Sequence, residues 1–555
     1  MTENPLFDQI LKSRGLSSAD VLAEFLRPPY PVSSHDPFDL PDMKAATERL
    51  RLARRRREQV VIYGDYDIDG LSATAILLDT FKSFGLRVSA FIPDRFSDGY
   101  GLSRSAVGKL IDDGAQLIVT VDCGSLSVDE VAYARGRGVD IIVTDHHEPG
   151  QQLPKAAAVI NPKRDDSTYP FQDLCGAGVA FKLVQAMQSC MSGLPEGQEK
   201  WLLDLVALGT VCDAVSLTGE NRSLVYWGLR VLAKTRRPGL KALMAVAGVD
   251  PAHVSARSLG FMLGPRLNTA GRLENARLSL DLLTSTDNMA ALGQAQRLDE
   301  LNRQRRSLQD VILEQACQQA ERLVHDKVLV VSDSQWSHGI IGIVASRLLE
   351  RYRKPVFILQ ELGDHAKGSA RSFGDFSAVG AIRHAERYVI RGGGHKLAAG
   401  VTLKASDIDA FRRAVNRFYA KTVLSDQAVY LEPASDAIAD SLEHVNEELA
   451  MAIEGLAPFG RGNHQPTIKF SGLKVVETKT MGSEGQHQKI WLQDSANRMI
   501  AAVWFNNVDH SLAPELSVDV WLELSVNEWR GRRQVEGVLQ KALVLPAKAP
   551  RAIGG

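Results

Sequence analysis

Between residues 59 and 144, short continuous apolar runs alternate with stretches whose apolar positions recur at helical spacing. Gln59–Gly64 reads as a strand, Ser72–Phe84 as a helix, Arg87–Ile92 as a second strand and Arg104–Asp113 as a helix. Gln116–Val121 and Val139–Thr144 read as the third and fourth strands, around a helix near Val128–Arg137. Runs that are apolar throughout predict strands buried on both faces, hence a parallel sheet with helices on each side. Residues 178–325 read as mostly helical. Their last part, Thr286–His325, is polar, free of proline and carries Arg297, Arg303, Arg305 and Arg306, which predicts one long connecting helix. A second α/β unit begins at Lys327–Ser332, continues through Pro355–Leu359 and closes near residue 420. From Pro466 to Leu545, five short runs alternate apolar and polar positions between glycine-marked turns. That pattern predicts a small barrel, with the OB fold as the leading candidate.

The predicted chain is therefore of the α/β class, with a parallel-sheet domain joined by a long helix to a smaller α/β domain and a C-terminal barrel. Its parts are an N-terminal segment (1–40), the parallel-sheet domain (41–285), the connecting helix (286–325), the smaller α/β domain (326–422), the barrel domain (423–548) and a tail (549–555). A length of 555 residues suits three or four domains. The formal charge of −1 excludes a globally basic protein, so nucleic-acid contact has to come from local patches. One such patch is Arg49–Arg57, six arginines in nine residues, although the same run suits a solvated helix face. The five cysteines show no CxxC spacing, which argues against a zinc ribbon or disulfide framework and fits a reducing, cytoplasmic setting. Neither a signal pattern nor an apolar run of about 18 residues is present, so no membrane association is expected.

Three acidic motifs occupy equivalent places after successive strands. Gly64-Asp-Tyr-Asp-Ile-Asp-Gly70 follows the first, Val121-Asp-Cys-Gly124 the third and Thr144-Asp-His-His147 the fourth. Ligands of open α/β sheets bind outside the carboxyl ends of the strands. Asp65, Asp67, Asp69, Asp122, Asp145, His146 and His147 are thus expected on one rim. Asp213, at the end of the apolar segment Leu208–Ala214, can reach the same place. Any one of these motifs alone suits an ordinary turn, but three at successive strand ends do not arise easily by accident. Carboxylates that converge repel one another unless they stay protonated or hold cations. Mostly oxygen donors with one or two imidazoles favour Mn²⁺ or Mg²⁺ over zinc. So many acids predict two divalent cations, at the ~3.5–4 Å spacing of two-metal sites.

The order of these motifs resembles the four-motif signature of the DHH phosphoesterase superfamily. Gly368-Ser-Ala-Arg-Ser372 and Arg391-Gly-Gly-Gly-His395 are similar to its DHHA1 substrate domain. Gly264-Pro-Arg-Leu-Asn-Thr-Ala-Gly-Arg-Leu273, Ser337-His-Gly-Ile-Ile-Gly342 and Pro458-Phe-Gly-Arg-Gly-Asn463 narrow the resemblance to its single-strand-specific exonucleases. The resemblance implies that Asp67, Asp69, Asp122, His146 and Asp213 ligate two metals, with Asp122 bridging. It implies that Asp145 orients a histidine and that His147 contacts the phosphate. Many members carry a histidine ligand at the place of Tyr63. Either Asp65 substitutes for it here, or the first metal binds more weakly.

The implied activity is 5′ to 3′ degradation of single-stranded DNA to mononucleotides in recombination and repair. A single-stranded-DNA-binding protein and an unwinding helicase are the implied partners. A 5′-phosphate pocket would draw on Arg95, Arg266, Ser369 and Arg371, with Arg272 and His395 nearby, because forked cations match phosphate. Surface ion pairs are the alternative for Arg95 and Arg272. In the barrel, Trp491, Trp504, Phe505, Trp521 and Trp529, with Arg530, Arg532 and Arg533, suit base stacking beside backbone attraction. The same aromatics at strand spacing also suit a core. Two other functions fit parts of the pattern: a phosphodiesterase of short RNA or cyclic dinucleotides, and a non-catalytic single-stranded-DNA-binding scaffold.

Overall fold

The structure is a computed structural model and describes residues 3–30, 35–95, 101–423, 425, 430, 432–482, 485–529 and 531–546. Strands β1 (Gln59–Tyr63), β2 (Arg87–Phe91), β3 (Leu117–Val121), β4 (Asp140–Thr144) and β5 (Ala158–Ile160) form one sheet in the order β2-β1-β3-β4-β5, parallel throughout. Successive residues of a strand face opposite sides of its sheet. Ile62, Val119 and Ile142 enter one core with Phe81 and Phe181. Val61, Ile118, Ile141 and Val143 enter another with Val107 and Val131. Two cores explain why these strands are apolar without alternation. The short β5 adds an edge that periodicity did not predict.

The helix after β1 spans Ile68–Ser83 and starts four residues before its apolar spacing predicts. Its N-cap is Asp67, whose side chain accepts from the amides of Asp69 and Gly70 at 3.0 and 3.1 Å, satisfying donors that every helix start leaves open.

The connecting helix runs from Asn288 to Arg322, 35 residues, or about 50 Å at 1.5 Å per residue. It leads to a second sheet of β6 (Leu329–Asp333), β7 (Val356–Leu362), β8 (His365–Arg371), β9 (Val389–Gly394) and β10 (Ala398–Lys404). The order is β6-β7-β8-β10-β9; only β6 and β7 are parallel.

The last sheet holds β11 (Ala437–Ala439), β12 (Thr467–Met481), β13 (His487–Gln493), β14 (Met499–Trp504), β15 (Ser517–Trp529) and β16 (Arg532–Val544). Strands β12 to β16 are the five predicted runs. They close into a barrel because β12 pairs with both β13 and β15, while β16 joins β14 to β15.

The N-terminal segment is not a separate unit. Helices Pro5–Ser13 and Ala19–Leu26 bury Leu6, Phe7, Ile10, Leu11 and Leu22 in one cluster with the barrel residues Phe470 and Leu522. Helical spacing gives the apolar face but not what it packs against. In the basic run, carried mostly by the helix Met43–Arg56, Arg49 binds Glu58 and Asp140, both at 2.6 Å. Arg51, Arg55, Arg56 and Arg57 are exposed. No helix among the described residues is long and apolar enough to cross a membrane.

Candidate metal centre and phosphate pocket

The acidic motifs meet at the carboxyl rim of the first sheet, and Asp213 joins them from the end of the helix Leu203–Cys212. Donor atoms of Asp65, Asp67 and Asp122 lie within 4.8 Å of one another. The same holds for Asp69, His146 and Asp213, and for Asp122, His146 and His147. Asp122 belongs to two of these groups and stands between the others. Its φ is +60°, a left-handed conformation that aspartate tolerates better than most residues. The His146 Nε2 lies 3.0 Å from Asp122, 3.6 Å from Asp69 and 3.8 Å from Asp213.

Asp69 does not sit in the loop. It lies in the first turn of the helix Ile68–Ser83 and accepts from the amides of Gly176 and Ala177, at 2.5 and 2.8 Å. Those amides open the helix Gly176–Cys190, so the positive end of a helix dipole holds the carboxylate. A side chain at 176 would put a Cβ 2.7 Å from that of Asp122. The Gly176-x-Gly178 pair does not match a dinucleotide fingerprint; the closeness of Asp122 is the physical reason for glycine at 176. Sequence reasoning missed this support, and glycine at the start of an apolar helix was its only signal.

Asp145 is held differently. Its Oδ1 accepts from the amides of His146 and His147 and meets the His147 Nδ1 at 2.9 Å, while Oδ2 accepts from the Ser125 amide at 2.9 Å. Burial opposes ionisation there, but His147 and these donors keep Asp145 below the usual carboxylate range. The same pairing outweighs burial and raises His147. Asn161 completes the support, donating to the Ser125 hydroxyl and the His147 carbonyl. Tyr63 does not join the acids: it is buried, and its hydroxyl donates to the Gly101 carbonyl at 3.1 Å. Asp65 is the residue of this loop that groups with Asp67 and Asp122.

The electrostatics of the cluster call for cations. Burial, then Asp67, pushes Asp65 up to about 8 and Asp69 up to about 6. Burial and Asp69 push Asp213 up to about 8, and Asp122 rises well above the ordinary value for the same reasons. His146 is pushed down to about 3 by burial and by His147, so at neutral pH an uncharged imidazole faces the carboxyl groups of Asp69, Asp122 and Asp213. The buried Asp65 Oδ1 has no hydrogen-bond partner. An unpartnered oxygen, a neutral imidazole and several self-repelling acids fit divalent cations of the Mn²⁺ or Mg²⁺ type.

A cationic pocket adjoins this centre. Arg95 stacks on the Tyr66 ring, with its carbon 4.3 Å from the centroid, and its buried Nε has no hydrogen-bond partner. Arg272 donates to the Gly339 carbonyl at 2.7 Å. Burial and the neighbouring Arg95, Arg305 and Arg371 push it down to about 10. From the second sheet, Arg371 donates to the Ser369 hydroxyl at 3.0 Å, close to where a Gly342 side chain would begin. Cations held together in this way suit an anionic ligand.

Two further expected members have other surroundings. Arg266 pairs with Asp299 at 2.9 Å and donates to the Met262 carbonyl. His395 is exposed, just past β9. Arg272 also lines a groove of about 1840 Å³ that runs to the barrel past Arg257, Phe261, Arg305, Arg347 and Arg461.

In the barrel, Trp521 is buried with Lys469 and Lys541 over its ring, outside the hydrophobic cluster against which Trp504 packs half-buried. Trp491 lies under Lys489, and Phe505 is half exposed. Arg532 and Arg533 are exposed, the latter paired with Glu447 at 2.9 Å. Arg530 and the side chain of Trp529 lie outside the described residues.

A parallel sheet with acids on its carboxyl rim, facing a second sheet that carries Ser369 and Arg371, defines a DHH/DHHA1 phosphoesterase architecture. The DHH family N-terminal domain matches residues 59–210, the DHHA1 domain 325–421 and the RecJ OB domain 438–541. The chain is 34% identical over 545 residues to the single-stranded-DNA-specific exonuclease RecJ of Bacillus subtilis, covering 97% of this chain and 68% of that protein. The crystal structure of Thermus thermophilus RecJ in complex with Mn²⁺ superposes with a TM-score of 0.82 at 31% identity, over 98% of this chain and 76% of that one. Its complex with Mg²⁺ gives 0.75 at 30%, over 98% and 75%. The chain belongs to the RecJ family.

Proposed function

We propose that this chain is a metal-dependent exonuclease that degrades single-stranded DNA from its 5′ end to mononucleotides, acting in recombination and repair. One observation carries the reading: the acids of three strand ends and one helix end converge on a single rim, beside a cationic pocket and a groove that continues to the barrel. Asp65, Asp67 and Asp122 would hold one cation, and Asp69, Asp122, His146 and Asp213 the other. Such a pair supplies Lewis acidity, activating water and offsetting charge on a phosphodiester.

The remaining work falls to the chain's own side chains. Asp145 holds one His147 proton on Nδ1 and turns Nε2 outward, and the imidazolium this pairing favours can donate its Nε2–H to a phosphate oxygen. Arg95, Arg272, Ser369 and Arg371 would grip the terminal 5′-phosphate and so set both the reacting bond and the polarity. The arginine-lined groove would keep the following nucleotides in register. A single-stranded-DNA-binding protein and a helicase are proposed partners, on the family resemblance alone.

A phosphodiesterase of dinucleotides has no need of so long a groove. The deciding assay offers 5′-phosphorylated and 3′-blocked DNA, short RNA and cyclic dinucleotide to the Mn²⁺-loaded protein. Mononucleotide release from the 3′-blocked DNA is expected. Release from the 3′ end, or turnover of the cyclic dinucleotide alone, would overturn the proposal.

A further inference from the structure

The segment Pro458-Phe-Gly-Arg-Gly-Asn463 stands out in sequence, and beyond the place of Arg461 along the groove it has a structural part of its own. It forms a tight turn closed by two backbone bonds: Gly460 N to Asn463 O at 2.9 Å, and Asn463 N to Gly460 O at 3.1 Å. The buried Asn463 side chain braces it by donating to the Leu456 and Pro458 carbonyls at 3.1 and 2.9 Å. Arg14 donates to the same side chain at 3.0 Å.

This turn sits on the loop that follows Asp213. The Leu217 amide donates to the Arg461 carbonyl at 2.7 Å, and the Arg461 guanidinium reaches the Ala214 carbonyl at 3.4 Å. A Cβ on Gly460 would come 2.7 Å from Leu217 Cδ1. One on Gly462, whose φ is +76°, would overlap the Ser216 hydroxyl. The loop needs holding, because Ala214 has a φ of +55°, a left-handed conformation that is strained for a residue with a Cβ. Its own domain contributes Asn221, which donates to the Ser216 carbonyl at 3.0 Å. That domain also supplies the Val211 carbonyl, which accepts from the Ala214 amide at 3.3 Å, and the core that buries Leu217; the turn that leads into the barrel adds the Arg461 bonds.

We propose that the Pro458–Asn463 turn is a positioning element for the metal centre. By clamping residues 214–218 it keeps the Asp213 carboxylate beside Asp69 and His146, so the seating of the barrel and the affinity of one cation are coupled. The inference rests on Asp213 being a cation ligand. Groups that orient metal ligands typically change affinity about 10- to 100-fold when lost.

The test measures Mn²⁺ binding to the full chain, by electron paramagnetic resonance of the free ion. Gly462→Ala should weaken one of two Mn²⁺ equivalents about 10-fold and leave the other unchanged. Gly472→Ala is the matched control, since its φ is +69° and no atom lies within 4 Å of an added Cβ; it should bind Mn²⁺ like the parent. Ser216→Gly in the Gly462→Ala background removes the overlapping hydroxyl and should restore affinity.

Parent-like binding by Gly462→Ala, equal loss in Gly472→Ala or failure of the rescue each overturns the coupling. If Gly462→Ala does not fold, Gly460→Ala takes its place with the same expectation, and parent-like binding by it overturns the coupling too. Asp213→Asn separates the two layers. If it keeps both equivalents, the ligand assignment itself fails. If it loses one while Gly462→Ala loses none, only the positioning role fails.

Discussion

Replacing Asp122 by asparagine should stabilise the metal-free protein while removing its response to Mn²⁺. Asparagine preserves the side-chain volume, can still pair with the His146 Nε2 at 3.0 Å and accepts a φ of +60°. What disappears is one charge whose oxygen lies within 4.8 Å of those of Asp65 and Asp67. Two full charges at that separation repel by roughly 3–4 kcal/mol at an effective dielectric of about 20. Shared protons relieve part of this in the parent, which leaves an expected gain of about 2–4 kcal/mol in alkaline solution.

The sign with pH follows from the direction of the shifts. Asp65, Asp69, Asp122 and Asp213 are all raised when folded. Their contribution is therefore present below their unfolded value of about 4 and is lost as pH rises through the folded values. These stand at about 8 for Asp65 and Asp213 and about 6 for Asp69. His146 acts in the opposite sense, since its lowered pKa removes stability as pH falls from 6.5 towards 3. Hydrogen exchange of the β3 amides in a chelator, at pH 6.5 and 8.5, isolates the acids from the histidine. The parent should lose protection between these pH values, and Asp122→Asn should lose less. Adding Mn²⁺ should restore the parent only. A metal-free Asp122→Asn protein less protected than the parent at pH 8.5 would refute the reasoning, as would equal Mn²⁺ protection of both.

Other outcomes follow from the same geometry. Arg371→Ala should raise KM about 10- to 100-fold for 5′-phosphorylated DNA, the worth of a charged hydrogen bond, and much less for 5′-hydroxyl DNA; equal effects on both substrates would place the phosphate elsewhere. His147→Gln, which loses the Asp145-oriented ring nitrogen, should lower kcat about 10²- to 10⁴-fold with Mn²⁺ binding nearly intact, as calorimetry would show. Gly176→Ala should weaken Mn²⁺ binding by pushing on Asp122, even though alanine favours helix; parent-like affinity would deny that the close approach matters.

The alternation of buried strands and helices, and with it the parallel sheet, was legible because burial on both faces leaves a continuous apolar signature. The acidic motifs could be placed on one rim for a related reason: in a parallel sheet every strand ends on the same side. The five barrel runs were legible from period-two patterning, and the long helix from its length without proline. Periodicity stops at the face of an element, however. It could not assign the helices Pro5–Ser13 and Ala19–Leu26 to the barrel core, because an apolar stripe does not name its partner. Nor could it separate Arg266, paired with Asp299, from Arg95, Arg272 and Arg371, which are identical in type.

Sequence by itself determined which acidic and imidazole side chains gather and on which edge they stand. Tertiary structure decided how they are held: Asp69 on the amides of another helix, Asp145 on Ser125 and His147, and the loop after Asp213 under a turn more than two hundred residues away. These supports are backbone amides, carbonyls and glycine clearances. Every residue but proline offers the same amide and every residue the same carbonyl, so no residue type marks in advance the ones that packing will bring to a carboxylate.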